Sequence, residues 1–192
     1  LEQAAAMPVK RWSPKWAVNM AWALGRMPNR SKAVPLLREL LGHRRLLVVY
    51  QAAVSLAALG DRRSLGPVRE AAGRKFTRDV VWASDGGDSD FGFFRRERIR
   101  QTEYDLAMAY ARAALGERAA RKDLRRVSAG DDPAAAMLAD VFLLRLGDKQ
   151  AASRMAERIE AAARNGFGAV ATDIHWTQSL WDALDTLMKV QP

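Results

Sequence analysis

The stretch "VYQAAVSLAALGDRRSLGPVREA", Val49 to Ala71, decides the fold. Its apolar positions Val49, Ala52, Ala53, Leu56 and Leu59 recur at the three- and four-residue spacing that puts them on one face of a helix. Small Ala side chains on that face let a neighbouring helix approach closely. Gly60 supplies a left-handed C-terminal residue that a side chain with a Cβ resists, so a positive φ is predicted there, and Asp61 can accept backbone N–H groups in the turn. Pro67 suits the first turn of a following helix, where its missing N–H leaves no bond unmade. The unit is helix, tight turn, helix.

The same layout stands upstream in "AVNMAWALGRMPNRSKAVPLLREL". Met27 pairs with Leu59, Asn29 with Asp61, Pro35 with Pro67 and Leu36 with Val68, each at an offset of 32 positions. A constant offset without gaps is the mark of a duplicated structural unit. These residues carry a family resemblance. The stretch from Val49 is similar to the bacterial HEAT-like repeat first named from phycobilisome lyases, in which an Ala-rich helix ends in Leu-Gly-Asp and a short loop leads to a Val-Pro helix. Leu59, Gly60, Asp61, Pro67 and Val68 match that pattern, as do Leu24, Val34, Pro35 and Leu36 in the first copy, where Pro28 and Asn29 replace Gly and Asp. The resemblance implies an all-α, α-α superhelix of antiparallel helix pairs whose groove acts as a binding scaffold.

Further copies follow. "LADVFLLRLGDKQAASRMAERIEAAARNG" repeats the stop at Leu146-Gly147-Asp148, with Asp132 as a cap, Pro133 at the first helical position and Asn165-Gly166 closing the second helix. "YDLAMAYARAALGERAARKDLRRV" is a looser copy around Leu115-Gly116-Glu117 that has lost its Pro. Gly60 to Gly116 spans 56 residues, so an insertion of about 24 beyond the repeat period lies between Gly73 and Thr102, taken as residues 74–100. Ser13-Pro14 opens a helix over Lys15 to Met27, and an amphipathic segment from Thr177 to Val190 is suited to cap the stack. Isolated repeats cannot bury their apolar faces, so several must stack, giving at least four repeats in a single domain of 192 residues with a groove lined by the second helices.

Composition agrees. With 49% hydrophobic and 28% charged residues of mixed sign, the chain can bury a core and does not read as disordered. No apolar run reaches the roughly 18 residues of a membrane span. No cysteine is present, which excludes a disulfide framework and thiolate metal sites and leaves compartment unread, with cytoplasm as the default. The sequence starts at Leu1 rather than Met, which leaves room for a removed leader or N-terminal domain. A net charge of +9 favours anionic partners, although Arg in excess of Lys and abundant Ala are also what a G- and C-rich genome yields.

Candidate binding residues come from two places. The second helices carry Arg38, Arg69, Lys122, Arg125, Arg126, Arg154 and Arg158, with acids in the minority, and stacking would line them into a basic strip for an acidic protein segment or for phosphates. The competing reading is a solvated face with local pairs, such as Arg154 and Arg158 near Glu157. The insertion holds Phe91, Phe93 and Phe94 beside Arg95, Arg96, Arg98 and Arg100, the mix of stacking surface and cation that single-stranded nucleic acid uses, or equally a clamp onto the stack. Asp85, Asp88 and Asp90 in "SDGGDSD" suit a solvated turn and lack the spacing of a calcium loop. His43 and His175 have no partner at metal or triad spacing, and no cofactor is implied. The leading expectation is a non-enzymatic protein-interaction scaffold. Nucleic-acid binding and a HEAT-like enzyme, a lyase or DNA glycosylase, are the alternatives; the last would need a carboxylate beside aromatics, and Trp181 and Asp182 are adjacent residues that point apart.

Overall fold

The computed structural model describes residues 8–9, 12–75 and 101–164. Every regular element among them is helical: α1 (Pro14–Leu24), α2 (Arg30–Leu41), α3 (Leu46–Leu59), α4 (Leu65–Ala72), α5 (Gln101–Ala114), α6 (Arg118–Ser128), α7 (Pro133–Arg145) and α8 (Lys149–Arg164), with a 3-10 turn at Arg62–Ser64 between α3 and α4. The fold is all-α and belongs to the class of α-α solenoids built from packed helix pairs. Two compact units divide at the Leu115-Gly116-Glu117 turn, Leu1–Gly116 and Glu117–Pro192.

In the first unit α1 and α3 pack along each other, as do α3 and α5, so the first helices of successive repeats stack, while α2 packs on α3 and α4 on α5. Side-chain caps start α1 and α2. Ser13 Oγ accepts from Trp16 N at 3.4 Å with Pro14 in the first helical position, and Asn29 Oδ1 accepts from Lys32 N at 3.4 Å. α1 stops at Leu24, three residues short of the expected Met27, and its Gly25 is held there by packing: a Cβ on it would fall 2.6 Å from Cβ and Oγ of Ser55 on α3. α3 ends as expected, with Gly60 at φ 66.

Proline marks the two copies differently from the reading of their shared offset. Pro67 is the third residue of α4 and so lies in its first turn as expected, after a separate turn at Arg62–Ser64 held by Asp61, with Ser64 N donating to the Asp61 carbonyl at 2.9 Å and Ser64 Oγ to its carboxylate at 2.6 Å. In the first copy the helix begins at Arg30, so Pro35 sits inside α2. Its ring deprives the Ser31 carbonyl of a partner, and both residues are exposed, where water can take that bond. Arg74, at the boundary drawn for the insertion, belongs to the repeats: its guanidinium donates to the carbonyls of Leu41 and His43 at 3.1 and 3.0 Å and closes the end of α2. Tyr104, fully buried on α5, likewise donates to the Ala71 carbonyl of α4 at 2.6 Å.

The second unit stacks α6 on α7 and α7 on α8. Asp132 caps α7 by accepting from Ala134 N and Ala135 N at 2.9 and 3.1 Å, with Pro133 first in the helix. Residues Ala135 through Leu144 of α7 are all buried, which makes it the core helix of its unit. Leu-Gly stops recur at Gly116 (φ 110) and Gly147 (φ 80). The remainder of the insertion, Asn165-Gly166 and the Thr177–Val190 segment lie outside the described residues.

Candidate functional site: arginines of the second helices

Arg38, on α2, reaches over the Leu59-Gly60-Asp61 turn of the next repeat. Its Nη2 stands 2.6 Å from Asp61 Oδ2 and its Nε 2.8 Å from Ser64 Oγ. Arg125, on α6, does the same for the Leu146-Gly147-Asp148 turn, with Nη2 and Nε 2.9 and 3.1 Å from Asp148 Oδ2. Each Arg precedes its Asp by 23 residues, so one side-chain pair ties the second helix of a repeat to the turn of the following repeat in both units. Burial pushes the Asp61 carboxyl upward, but the hydrogen bonds from Ser64 and Arg38, the Arg38 charge and the Arg63 backbone N–H outweigh it and hold the group below the usual carboxylate value. For Asp148, desolvation is overcome in the same way, by hydrogen bonding and charge from Arg125, the charge of Arg154 and the Gln150 N–H.

Arg154 and Arg158, on α8, do not simply pair along their own helix as the spacing around Glu157 suggests. They converge on Asp140, which is fully buried in the middle of α7. Arg154 Nε donates to Asp140 Oδ1 at 2.8 Å and to Ser128 Oγ at 3.0 Å, and its Nη2 makes a charge contact with the same carboxylate oxygen at 2.8 Å. Arg158 Nε meets Asp140 Oδ2 at 3.3 Å while its Nη2 donates to the Ser128 carbonyl at 2.6 Å; Ser128 Oγ completes the group with a 2.6 Å bond to Asp140. A buried carboxylate would cost several kcal/mol alone, and these donors offset that. Asp140 is the residue that reading along the chain misses, because its partners lie 12, 14 and 18 positions away.

What remains open to solvent is narrower than the full list of arginines. On α6, Arg118, Lys122, Arg125 and Arg126 are exposed at spacings of four, three and one, above buried Ala120 and Leu124, and so share one face. Arg126 is 79% exposed although Asp123 lies 3.2 Å from it, whereas the guanidinium of Arg125 is committed to Asp148. Arg69 on α4 is exposed. Phe93, Phe94, Arg95 and Arg96, together with His175, Trp181 and Asp182, lie outside the described residues. His43 is buried, with its Nδ1 accepting from Arg45 N at 3.1 Å; burial, then the neighbouring charges of Arg44 and Arg45, lower its pKa and favour the neutral ring.

Chemically, this arrangement offers electrostatics. Among the described residues no group of His, Asp and Glu is placed to hold a metal ion, and no helix is long and apolar enough to cross a membrane. The family model described as HEAT repeats matches residues 6–84. No curated protein and no solved structure matches. Proteins of that family generally mediate protein–protein interaction and are typically scaffolds rather than enzymes. The 32-residue offset, the stacked helix pairs of the first unit and the family match coincide within residues 6–84, the stretch over which this chain is similar to HEAT repeats.

Proposed function

We propose that this protein is a non-enzymatic interaction scaffold that binds an acidic segment of another protein through the basic outer faces of its second helices. The observation that carries the reading is α6, where Arg118, Lys122, Arg125 and Arg126 form one exposed cationic face over an apolar one. Arg38, Arg154 and Arg158 support it less directly, since their charge is largely matched by Asp61 and Asp140. An acidic protein partner is favoured over nucleic acid because the exposed face of α6 carries no aromatic ring to stack on a base.

The test is titration of a fluorescent Glu-rich peptide and of a single-stranded oligonucleotide at rising salt. Binding to the peptide should weaken as salt rises, because charges exposed to solvent are screened over about 8 Å at physiological ionic strength. Lys122→Glu with Arg126→Glu should weaken it about tenfold or more while leaving the helical circular-dichroism signal intact. These two positions are preferred to Arg125, whose reversal would also place a charge against buried Asp148. Tighter, salt-sensitive binding to the oligonucleotide would transfer the function to nucleic acid, and an unchanged double variant would remove α6 from the site.

A further inference from the structure

The repeats themselves indicate what the outer face of α1 is built to receive. On α3, the face turned to α1 is marked by Ser55, which contacts Gly25, and it continues through Val48, Ala52 and Leu59 at helical spacing, all four 6% exposed or less. Subtracting the 32-residue offset carries that face onto α1 and its following turn as Trp16, Met20, Ala23 and Met27. This is the stripe on which the first helix of a preceding repeat would lie. Met20 is buried, but Ala23 and Met27 are only half-buried and Trp16 is 45% exposed, where its counterpart Val48 is 0%. Unlike its counterpart on α3, this stripe presents an exposed indole to solvent.

Charge selects the occupant. Residues 12–38 hold five Lys and Arg and no Asp or Glu. Lys15 and Arg26, both exposed, border the stripe on one side, and the Arg26 guanidinium lies 3.8 Å over the ring of Trp22, itself 50% exposed. A second copy of the same face would bring cation against cation, which disfavours symmetric self-association. We propose that this face docks an amphipathic helix of a partner protein whose apolar stripe is bordered by Asp and Glu, seated where a preceding first helix would stack. The helix inserts its stripe between Trp16 and Met27, and its acids meet Lys15 and Arg26. Because the residues are on α1, the proposal stands or falls separately from the cationic face of α6.

Two synthetic helical peptides of about 18 residues, long enough to form a helix on docking, test this. Both carry the same Leu and Ala stripe, one bordered by Glu and the other by Lys, and both are followed by fluorescence anisotropy and by hydrogen exchange. The Glu-bordered peptide should bind saturably, prefer this protein at least tenfold over the Lys-bordered one and protect residues 14–27. Trp16→Glu should weaken it tenfold or more; Trp16→Ser serves as a second variant, and circular dichroism shows that each remains folded. Lys15→Glu with Arg26→Glu should abolish the preference for Glu. Equal binding of both peptides, wild-type affinity in the folded Trp16 variants, or protection on 118–126 instead would overturn the proposal. So would tighter Trp16-dependent binding to vesicles of anionic lipid or to an oligonucleotide.

Discussion

Gly60 and Gly25 are both glycines at the end of a first helix, yet they are required for unrelated reasons. Gly60 has φ 66 and nothing within 4 Å of where a Cβ would stand, so Gly60→Ala should cost only the backbone term, about 1 kcal/mol. Gly25 has an ordinary right-handed conformation, but its Cβ would lie 2.6 Å from Ser55 and 3.0 Å from the Ser55 backbone. Gly25→Ala should therefore cost about 1–3 kcal/mol by forcing α1 away from α3, and Gly25→Ala with Ser55→Gly should recover part of it. Urea unfolding of the three variants decides this. No recovery in the double variant would mean that Ser55 is not what confines Gly25, and an unchanged Gly60→Ala would remove the left-handed stop as a stability element. The first glycine was legible in the sequence because a helix stop is local, set by Leu-Gly-Asp. The second was not, because its reason lies 30 residues away.

The pairing of α2 with the turn before α4, and of α6 with the turn before α8, works between elements. Arg38–Asp61 and Arg125–Asp148 recur at a spacing of 23, so the tie was present in the sequence as a repeated interval, although the arginines were read there as a surface strip. The helix pairs and caps were legible because periodicity and capping act within a few residues; the targets of the arginines were not, because charge pattern alone does not say which acid a long side chain will reach. The Asp61 carboxyl is held below its unfolded value, so its contribution is present above about pH 4, the unfolded carboxylate range, and is lost as pH falls through the lower folded value. Asp61→Asn should cost about 1 kcal/mol at pH 7, the low end for a hydrogen bond to a charged group since both partners reach solvent. The gap between variant and wild type should close as pH drops toward 2. A gap of the same size at pH 7 and pH 2 would show that Asp61 acts through its shape in the turn rather than through its charge.

At the scale of the whole molecule, charge and cohesion are distributed unequally. Residues 12–75 carry twelve Lys and Arg against three Asp and Glu, while residues 101–164 carry eleven against ten. Long-range attraction for anions is therefore stronger in the first stretch, while in the second the buried Asp140 gathers Ser128, Arg154 and Arg158. Asp140→Asn removes the buried charge that two guanidinium groups share, a loss of about 3 kcal/mol, the lower end for breaking a buried ion pair because both arginines remain about 30% exposed. In a repeat protein, stability is a sum of repeat and neighbour terms, so a local loss need not spread evenly. Hydrogen exchange on the variant should accelerate amides of α7 and α8 while those of α3, whose contacts are with α1, α2 and α5, keep wild-type rates. That pattern would establish the two compact units as separate folding units as well as separate cores. Equal acceleration in α3 and α7 would show instead that the chain opens as one cooperative body, with the buried carboxylate supporting helices that it never touches.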